Sequence, residues 1–231
     1  MQQLNLFFIE SLGTLYEDVQ TKSIFADSKY FVDCIPQYPA AEIVKSYNSL
    51  KNETTFNLLD FVKAHFDLPE EKISTYTSAQ KTIDQHLNDL WDELKRTPDH
   101  EGGTLIPLPY EYIVPGGRFR EIYYWDSYFT ILGLQVSKRI DLIENMVDNF
   151  AYLIKEVGFI PNGNRTYYLG RSQPPFFALM IHLLSEEKGE EIFTKYQPAL
   201  EKEYSFWMTG AEQLNEQQTS CNHVEIGRAH V

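Results

Sequence analysis

The sequence predicts an all-α fold of paired antiparallel helices joined by loops, either an α/α toroid or a bundle. Three observations carry this expectation. Apolar residues recur at helical spacing through successive stretches of the chain. Prolines and glycines fall between those stretches. No run of useful length alternates with the two-residue period of a strand, and no repeat or low-complexity segment is visible.

The first hundred residues read as an irregular helical lead-in, with short apolar patterns at 39–48 and 56–65 bounded by Asn and Pro. The spacing predicts a helix from Ser78 to Arg96, with Ile83, Leu87, Leu90, Trp91 and Leu94 on one face and Pro98 as its end. His100 to Gly117 is rich in Gly and Pro and reads as extended loop. A helix is expected from about Tyr124 to Val136. The next spans Ile140 to Val157, with Ile143, Met146, Val147, Phe150 and Ile154 as its inner stripe and Gly158 as its stop. A third begins at Pro174-Pro175, where proline suits the first helical turn, and continues through Leu184. A fourth follows Pro198 and places Leu200, Tyr204, Trp207 and Met208 on one side. Gly158 to Gln173 is long for a link between helices, and long loops in compact domains are often functional.

Composition narrows the function. Hydrophobic residues make up 43% of the chain, enough for a sizeable core, and the 14% aromatic share suits a carbohydrate cleft. A net charge of −13 argues against nucleic acid and anionic membrane surfaces, which call for a basic footprint. Cys34 and Cys221 do not make a disulfide framework, and Cys34 reads as a buried free thiol. MQQLNLFFIESLGTLY lacks a basic n-region and Glu10 interrupts its apolar run, so it is not read as a signal peptide. No segment approaches the length of a transmembrane helix, and a soluble cytoplasmic protein is expected. The six histidines lack ligand spacing, which argues against a metal site. No GxSxG, P-loop or GxGxxG is present to support Ser hydrolysis or nucleotide chemistry.

The run PGGRFREIYYWDSYFTILGL, Pro115 to Leu134, concentrates the chemistry. Aromatic faces stack on pyranose rings, while Arg and Asp bracket hydroxyls. Gly116 and Gly117 allow a tight turn and a close approach to a ligand. Arg118 can then donate several hydrogen bonds, or it can be a loop arginine paired with Glu121 or Asp126. Trp125 and Asp126 stand near a helix start, where Asp is commonly a cap and Trp commonly core. Beside Arg118, Phe119, Tyr123 and Tyr124 they also make an aromatic platform with a bidentate acid. In the long loop, Asn162 and Gln173 can each donate and accept, and Arg171 adds a cation. Turn chemistry accounts equally well for Asn164, and a helix-start role for Ser172.

PGGRFREIYYWDSY resembles the first signature of the α,α-trehalases, glycoside hydrolase family 37. IPNGNRTYYLGRSQPPFFALM, IFADSKYFVDC and KEYSFWMTGAE are similar to further blocks of that family, in family order, over about residues 15 to 224. The resemblance implies an (α/α)6 toroid, here partial and preceded by the lead-in, that hydrolyses α,α-trehalose to two glucoses with inversion. It implies no cofactor, and a monomer at full length. The family's sugar-site residues map onto Arg118, Trp125, Asp126, Asn162, Arg171, Ser172 and Gln173, with Phe119 and Tyr123 as pocket walls. Inversion needs two carboxyl groups about 6.5–9.5 Å apart.

The family's catalytic acid Asp and base Glu fall beyond the end of this chain, so none of its residues is assigned a catalytic role. Asp126 does not substitute, because the family uses this Asp for binding. The expected organisation is a lead-in over 1–110, an incomplete catalytic domain over 111–224, and a non-native tail over 225–231. That tail, EIGRAHV, back-translates to a common sequencing adapter read in frame. A closed toroid needs about twelve helices, and roughly four are legible after the lead-in. Another α/α-toroid glucosidase, or a non-catalytic sugar-binding fragment, are the alternative readings.

Overall fold

A computed structural model describes residues 6–69, 76–77, 79–98 and 102–218, together with the backbone of 225–226. Among them eight α-helices dominate, and the strands are two-residue pairings, so the all-α expectation holds. The chain forms two compact units: Met1–Ser74 with His100–Ile106, and Thr75–Asp99 with Pro107–Val231.

The first unit contains α1 (Thr14–Thr21), α2 (Ala40–Leu50) and α3 (Leu58–His65). Asn57 caps α3, its side chain accepting from the Asp60 N–H at 3.1 Å. Two short strands, β1 (Ile35–Pro36) and β2 (Phe66–Asp67), pair antiparallel. Leu12, Leu15, Phe31, Tyr47 and Phe66 form its buried core. Cys34 is buried and free, as expected, and burial followed by the Asp33 charge pushes its thiol up to about 12.

The second unit holds α4 (Ile83–Leu94), α5 (Tyr124–Val136), α6 (Ile140–Glu156), α7 (Phe177–Lys188) and α8 (Glu191–Trp207). β3 (Lys95–Arg96) pairs antiparallel with β4 (Tyr112–Ile113), and β5 (Arg171–Ser172) pairs parallel with β6 (Glu225–Ile226). Helices α5 to α8 pack on one another, with α6 and α7 each touching the other three. The inner stripe of α6 is the expected one: Ile143, Met146, Val147, Phe150 and Ile154 are all buried. The stripe also contains Asn149, whose side chain accepts from the Tyr110 N–H at 3.1 Å and donates to the Tyr110 carbonyl at 3.0 Å. This polar clamp fixes the chain that leads into the functional run.

The α5–α6 turn has no glycine. Lys138 takes the left-handed position at φ +56°, while the Arg139 N–H reaches the Leu134 carbonyl and the Lys138 N–H the Gln135 carbonyl. That is a Schellman closure with lysine where glycine is preferred, at roughly 1 kcal/mol of backbone strain.

Sequence expectations for three helices are corrected. Helix α4 starts at Ile83 behind a Thr82–Gln85 capping box; the expected start, Ser78, lies outside the described residues. Its apolar face is only partly covered, with Ile83 77% and Leu87 47% exposed. Trp91 does pack, donating to Ser137 Oγ at 2.9 Å and lying so close to Gly133 that an added Cβ would meet the ring at 2.9 Å. Helix α7 begins at Phe177, beyond Pro174 and Pro175. Helix α8 begins at Glu191 and runs through Pro198. Pro198 is exposed, and the burial of Ile192 and Tyr196 upstream outweighs the missing N–H. The inward face of α8 also differs from the expected stripe: Tyr204 is 66% and Met208 44% exposed, while Glu203 is buried.

Glu203 is inside because it has partners there. The Tyr124 hydroxyl donates to its carboxylate and itself accepts the Phe177 N–H at 3.0 Å, tying α5, α7 and α8 together. Burial raises the Glu203 carboxyl to about 7, against the opposing pull of hydrogen bonds from Tyr124 and Trp207. The folded chain therefore holds this proton more tightly than the unfolded chain. The stability Glu203 contributes is complete below about pH 4.5 and is lost as pH rises to about 7, a loss on the order of 3 kcal/mol. Glu203→Gln keeps an acceptor for Tyr124 and removes the titration. Urea melts across that range should show the wild-type decline flattened in the variant, and an unchanged decline would assign it to other groups.

Candidate functional site

The Gly116–Phe119 turn presents the first site residues. Gly116 and Gly117 both have positive φ, +90° and +61°, and the Phe119 N–H closes the turn on the Gly116 carbonyl at 3.1 Å. A Cβ at Gly116 would also meet Leu94 Cδ2 at 2.6 Å, so glycine is required there on two grounds. Arg118 and Phe119 are exposed on the turn, and the Phe119 ring stands edge-on to Tyr123 at 5.8 Å. Tyr123 then precedes α5, which carries Trp125 and Asp126 in its first turn.

The long loop is knitted to this run through the main chain. The Tyr124 N–H donates to the Asn162 carbonyl at 3.2 Å, and the Asn162 N–H to the Arg171 carbonyl at 3.0 Å. Tyr123 and Gly163 face each other in an antiparallel bridge. A Cβ at Gly163 would lie 3.0 Å from the Ile122 carbonyl oxygen, which explains the glycine. Asn164 completes the seam: its Oδ1 accepts from the Ile122 N–H at 2.9 Å. The residue is fully buried, so turn chemistry alone does not describe it.

Of the nine residues named from the sequence, Asn162, Ser172 and Gln173 are buried, Tyr123 and Arg171 half-buried, and Arg118, Phe119, Trp125 and Asp126 exposed. Gln173 joins the two segments. Its Oε1 accepts the Trp125 N–H and its Nε2 donates to Asp126 Oδ2, both at 3.1 Å. Asp126 is thus oriented by a neighbouring loop while its other oxygen points away from this bond. The Ser172 hydroxyl donates to the Ile160 carbonyl at 2.7 Å, so its role here is to hold the loop. Trp125 lies edge-on to Phe176 at 6.0 Å.

Arg171 is the most informative of the nine. Its guanidinium stacks on Tyr168, with Cζ 4.6 Å from the ring centroid. Its Nε is buried and has no hydrogen-bond partner. An unmet buried donor costs about 1–3 kcal/mol, more when charged, and a ligand oxygen would recover it.

Sequence reasoning missed what lies beneath. Glu121, considered there as a partner of Arg118, is fully buried and holds Arg165. Arg165 Nε and Nη2 donate to Glu121 Oε2 at 3.3 and 3.2 Å. The Tyr123 hydroxyl also donates to Glu121 and lies 3.3 Å from the Tyr168 hydroxyl. Burial, then the Glu121 charge, pushes the Tyr123 phenol well above its ordinary range and keeps it neutral. No pattern of spacing marks Arg165 or Tyr168: Arg165 acts through Glu121, 44 positions away, and Tyr168 through Tyr123, 45 positions away, as well as through Arg171.

Among the described residues no group of three or more His, Cys, Asp or Glu is arranged to hold a metal ion. The arrangement offers a buried cationic donor, an oriented carboxylate and aromatic walls, which together can bind a polyhydroxylated ring. Gln173→Glu should set a second carboxylate against Asp126 Oδ2 where an amide now donates. A loss of about 1–3 kcal/mol is expected at neutral pH and a smaller one at acidic pH, read from thermal melts of both proteins. An equal loss at every pH would remove charge repulsion as the cause.

The Trehalase family model matches residues 23–229. The chain is 47% identical over 205 residues to the periplasmic trehalase of Citrobacter koseri, covering 88% of this chain and 36% of that protein. It is 45% identical over 217 residues to the periplasmic trehalase of Salmonella newport, covering 93% of this chain and 38% of that one. Among solved structures, neutral trehalase Nth1 from Saccharomyces cerevisiae matches at 38% identity and a TM-score of 0.43, over 47% of this chain and 21% of that chain. The chain therefore spans 36% to 38% of the length of these curated relatives. The cytoplasmic expectation is overturned, since those relatives are named periplasmic. Cytoplasm and periplasm are both aqueous, and composition does not separate them; the expectation rested on the first sixteen residues alone. With the family model matching from Ser23 to Ala229, the chain belongs to the trehalase family.

Proposed function

We propose that this chain forms one wall of the sugar site of an enzyme that hydrolyses α,α-trehalose to two glucoses with inversion. The observation that carries the proposal is the buried, unpartnered Nε of Arg171, next in the knitted loops to Gln173 and the Asp126 it orients. The relatives named trehalases support the choice of sugar. Arg118, Asp126, Asn162, Arg171 and Gln173 bind hydroxyls in this reading. Trp125, Phe119 and Tyr123 wall the subsite, and Ser172 holds its loop. No metal or organic cofactor is called for, and the full-length enzyme works as a monomer.

In this reading residues 1–110 are the lead-in and 111–224 the first part of an (α/α)6 toroid. Inverting hydrolysis needs an acid on the glycosidic oxygen and a base on a water on the opposite face. Glu121 cannot serve, being fully buried and held by Arg165 and Tyr123. Asp126 is committed to binding. The resemblance to the family implies that the two carboxyl groups belong to sequence beyond this chain, and in this reading the 231 residues bind without cutting.

Two measurements check this. Calorimetry of the 231-residue chain with trehalose should show binding that Asp126→Ala weakens by at least about tenfold, the loss of one charged hydrogen bond or more. A glucose-release assay on the same protein should stay at background. Release abolished by Asp126→Ala would place the catalytic machinery within these residues and overturn the division of roles.

A further inference from the structure

We propose that the buried Glu121–Arg165 pair is a positioning device that sets the Arg171 guanidinium through Tyr123 and Tyr168. The proposal rests on the sugar-site reading of Arg171 and extends it to three residues behind the site, Glu121, Arg165 and Tyr168. Glu121 and Arg165 are 0% and 4% exposed at their side chains and are bonded to each other. A buried pair of this kind is a weak source of stability, because desolvation offsets its attraction. Its placement is what distinguishes it. The carboxylate uses Oε2 for Arg165 and turns Oε1 to Tyr123.

The polarity of the chain follows from donor counting. A carboxylate facing a guanidinium accepts only, so the Tyr123 hydroxyl donates its one proton to Glu121. The 3.3 Å contact between the Tyr123 and Tyr168 hydroxyls must then be donated by Tyr168. Every bond therefore points toward Glu121: Tyr168 to Tyr123, Tyr123 to Glu121, and Arg165 to Glu121 from the other side. The hydroxyl bond anchors one end of Tyr168. Its ring edge is held where a Cβ on Gly163 would meet it at 3.3 Å, and its face carries the Arg171 guanidinium at 4.6 Å. Arg171 keeps its Nε unpartnered in this pose, aimed by a ring rather than tied down by a hydrogen bond. Tyr123, a wall of the subsite, and Arg171, its cation, are thereby set by one buried charge. Such fixed orientation is what preorganised sites require of the residues behind the ligand contacts.

The test uses Tyr168→Phe, which removes the hydroxyl and keeps the ring. In 15N-labelled protein the buried Arg171 Nε–H resonance is expected upfield of an unstacked arginine, from the Tyr168 ring current. Tyr168→Leu sets the unstacked reference. Tyr168→Phe and Glu121→Gln should both move the Arg171 signal toward that reference while most amide signals stay in place. An Arg171 signal unmoved by Tyr168→Phe overturns the proposal, whether or not Glu121→Gln folds. Titration with trehalose supplies the second readout. If the wild type binds, Tyr168→Phe should weaken binding about five- to tenfold, and equal affinity also overturns the proposal. If the wild type binds no sugar while the Arg171 signal responds, the sugar reading fails and the positioning stands.

Discussion

Two short segments, Ile122 to Tyr124 and Asn162 to Asn164, meet edge to edge, and the site exists because of that seam. The Tyr124 N–H bonds Asn162, the Asn164 N–H and side chain bond Ile122, and Gly163 lies against Tyr123 with no room for a Cβ. Asn162 then passes the register on to Arg171 through its own N–H. Each of these groups is buried, so each bond replaces one that water would otherwise make, and breaking one leaves an unmet polar group inside. The seam consequently has little freedom to slip. It places the first turn of α5 opposite the end of the long loop, and that juxtaposition lets Gln173 reach both Trp125 and Asp126.

Two buried acids support this seam from different sides. Glu121 lies below it, neutralised by Arg165 and holding Tyr123. Glu203 lies at the far end of Tyr124, whose hydroxyl also takes the Phe177 N–H and so links α5 with α7 and α8. The two solve burial differently. Glu121 has a cation beside it and remains an acceptor. Glu203 has neutral hydrogen-bond donors instead, and its carboxyl rises to about 7. Of these adjacent tyrosines, Tyr123 thus reaches Glu121 and Tyr168, while Tyr124 reaches Glu203 and the Phe177 N–H.

The helices and the site differ in how far they can be read from the chain. Helix α6 is legible throughout, because its inner positions are apolar at helical spacing and its stop is Gly158. Helix α8 is misread because its inward position 203 is an acid, and a reading by hydrophobic stripe passes over it in favour of Tyr204 and Met208. Pro198 misleads for a related reason: a breaker in isolation becomes tolerable where the turn before it buries Ile192 and Tyr196. In the site, Arg118, Asp126 and Gln173 are legible by residue type and by resemblance. Arg165 and Tyr168 are not, because their importance lies in contacts with residues about 40 positions away or in stacking under Arg171.

The sequence by itself determined the all-α class and the family. Both reside in local periodicity and contiguous motifs, which a chain carries before it folds. Only the tertiary structure decided which polar groups are inside and whom they bind. Packing brought Glu121 and Arg165 to each other. Burial sets the energetic value of a charge or a hydrogen bond, and burial is a property of how distant segments meet.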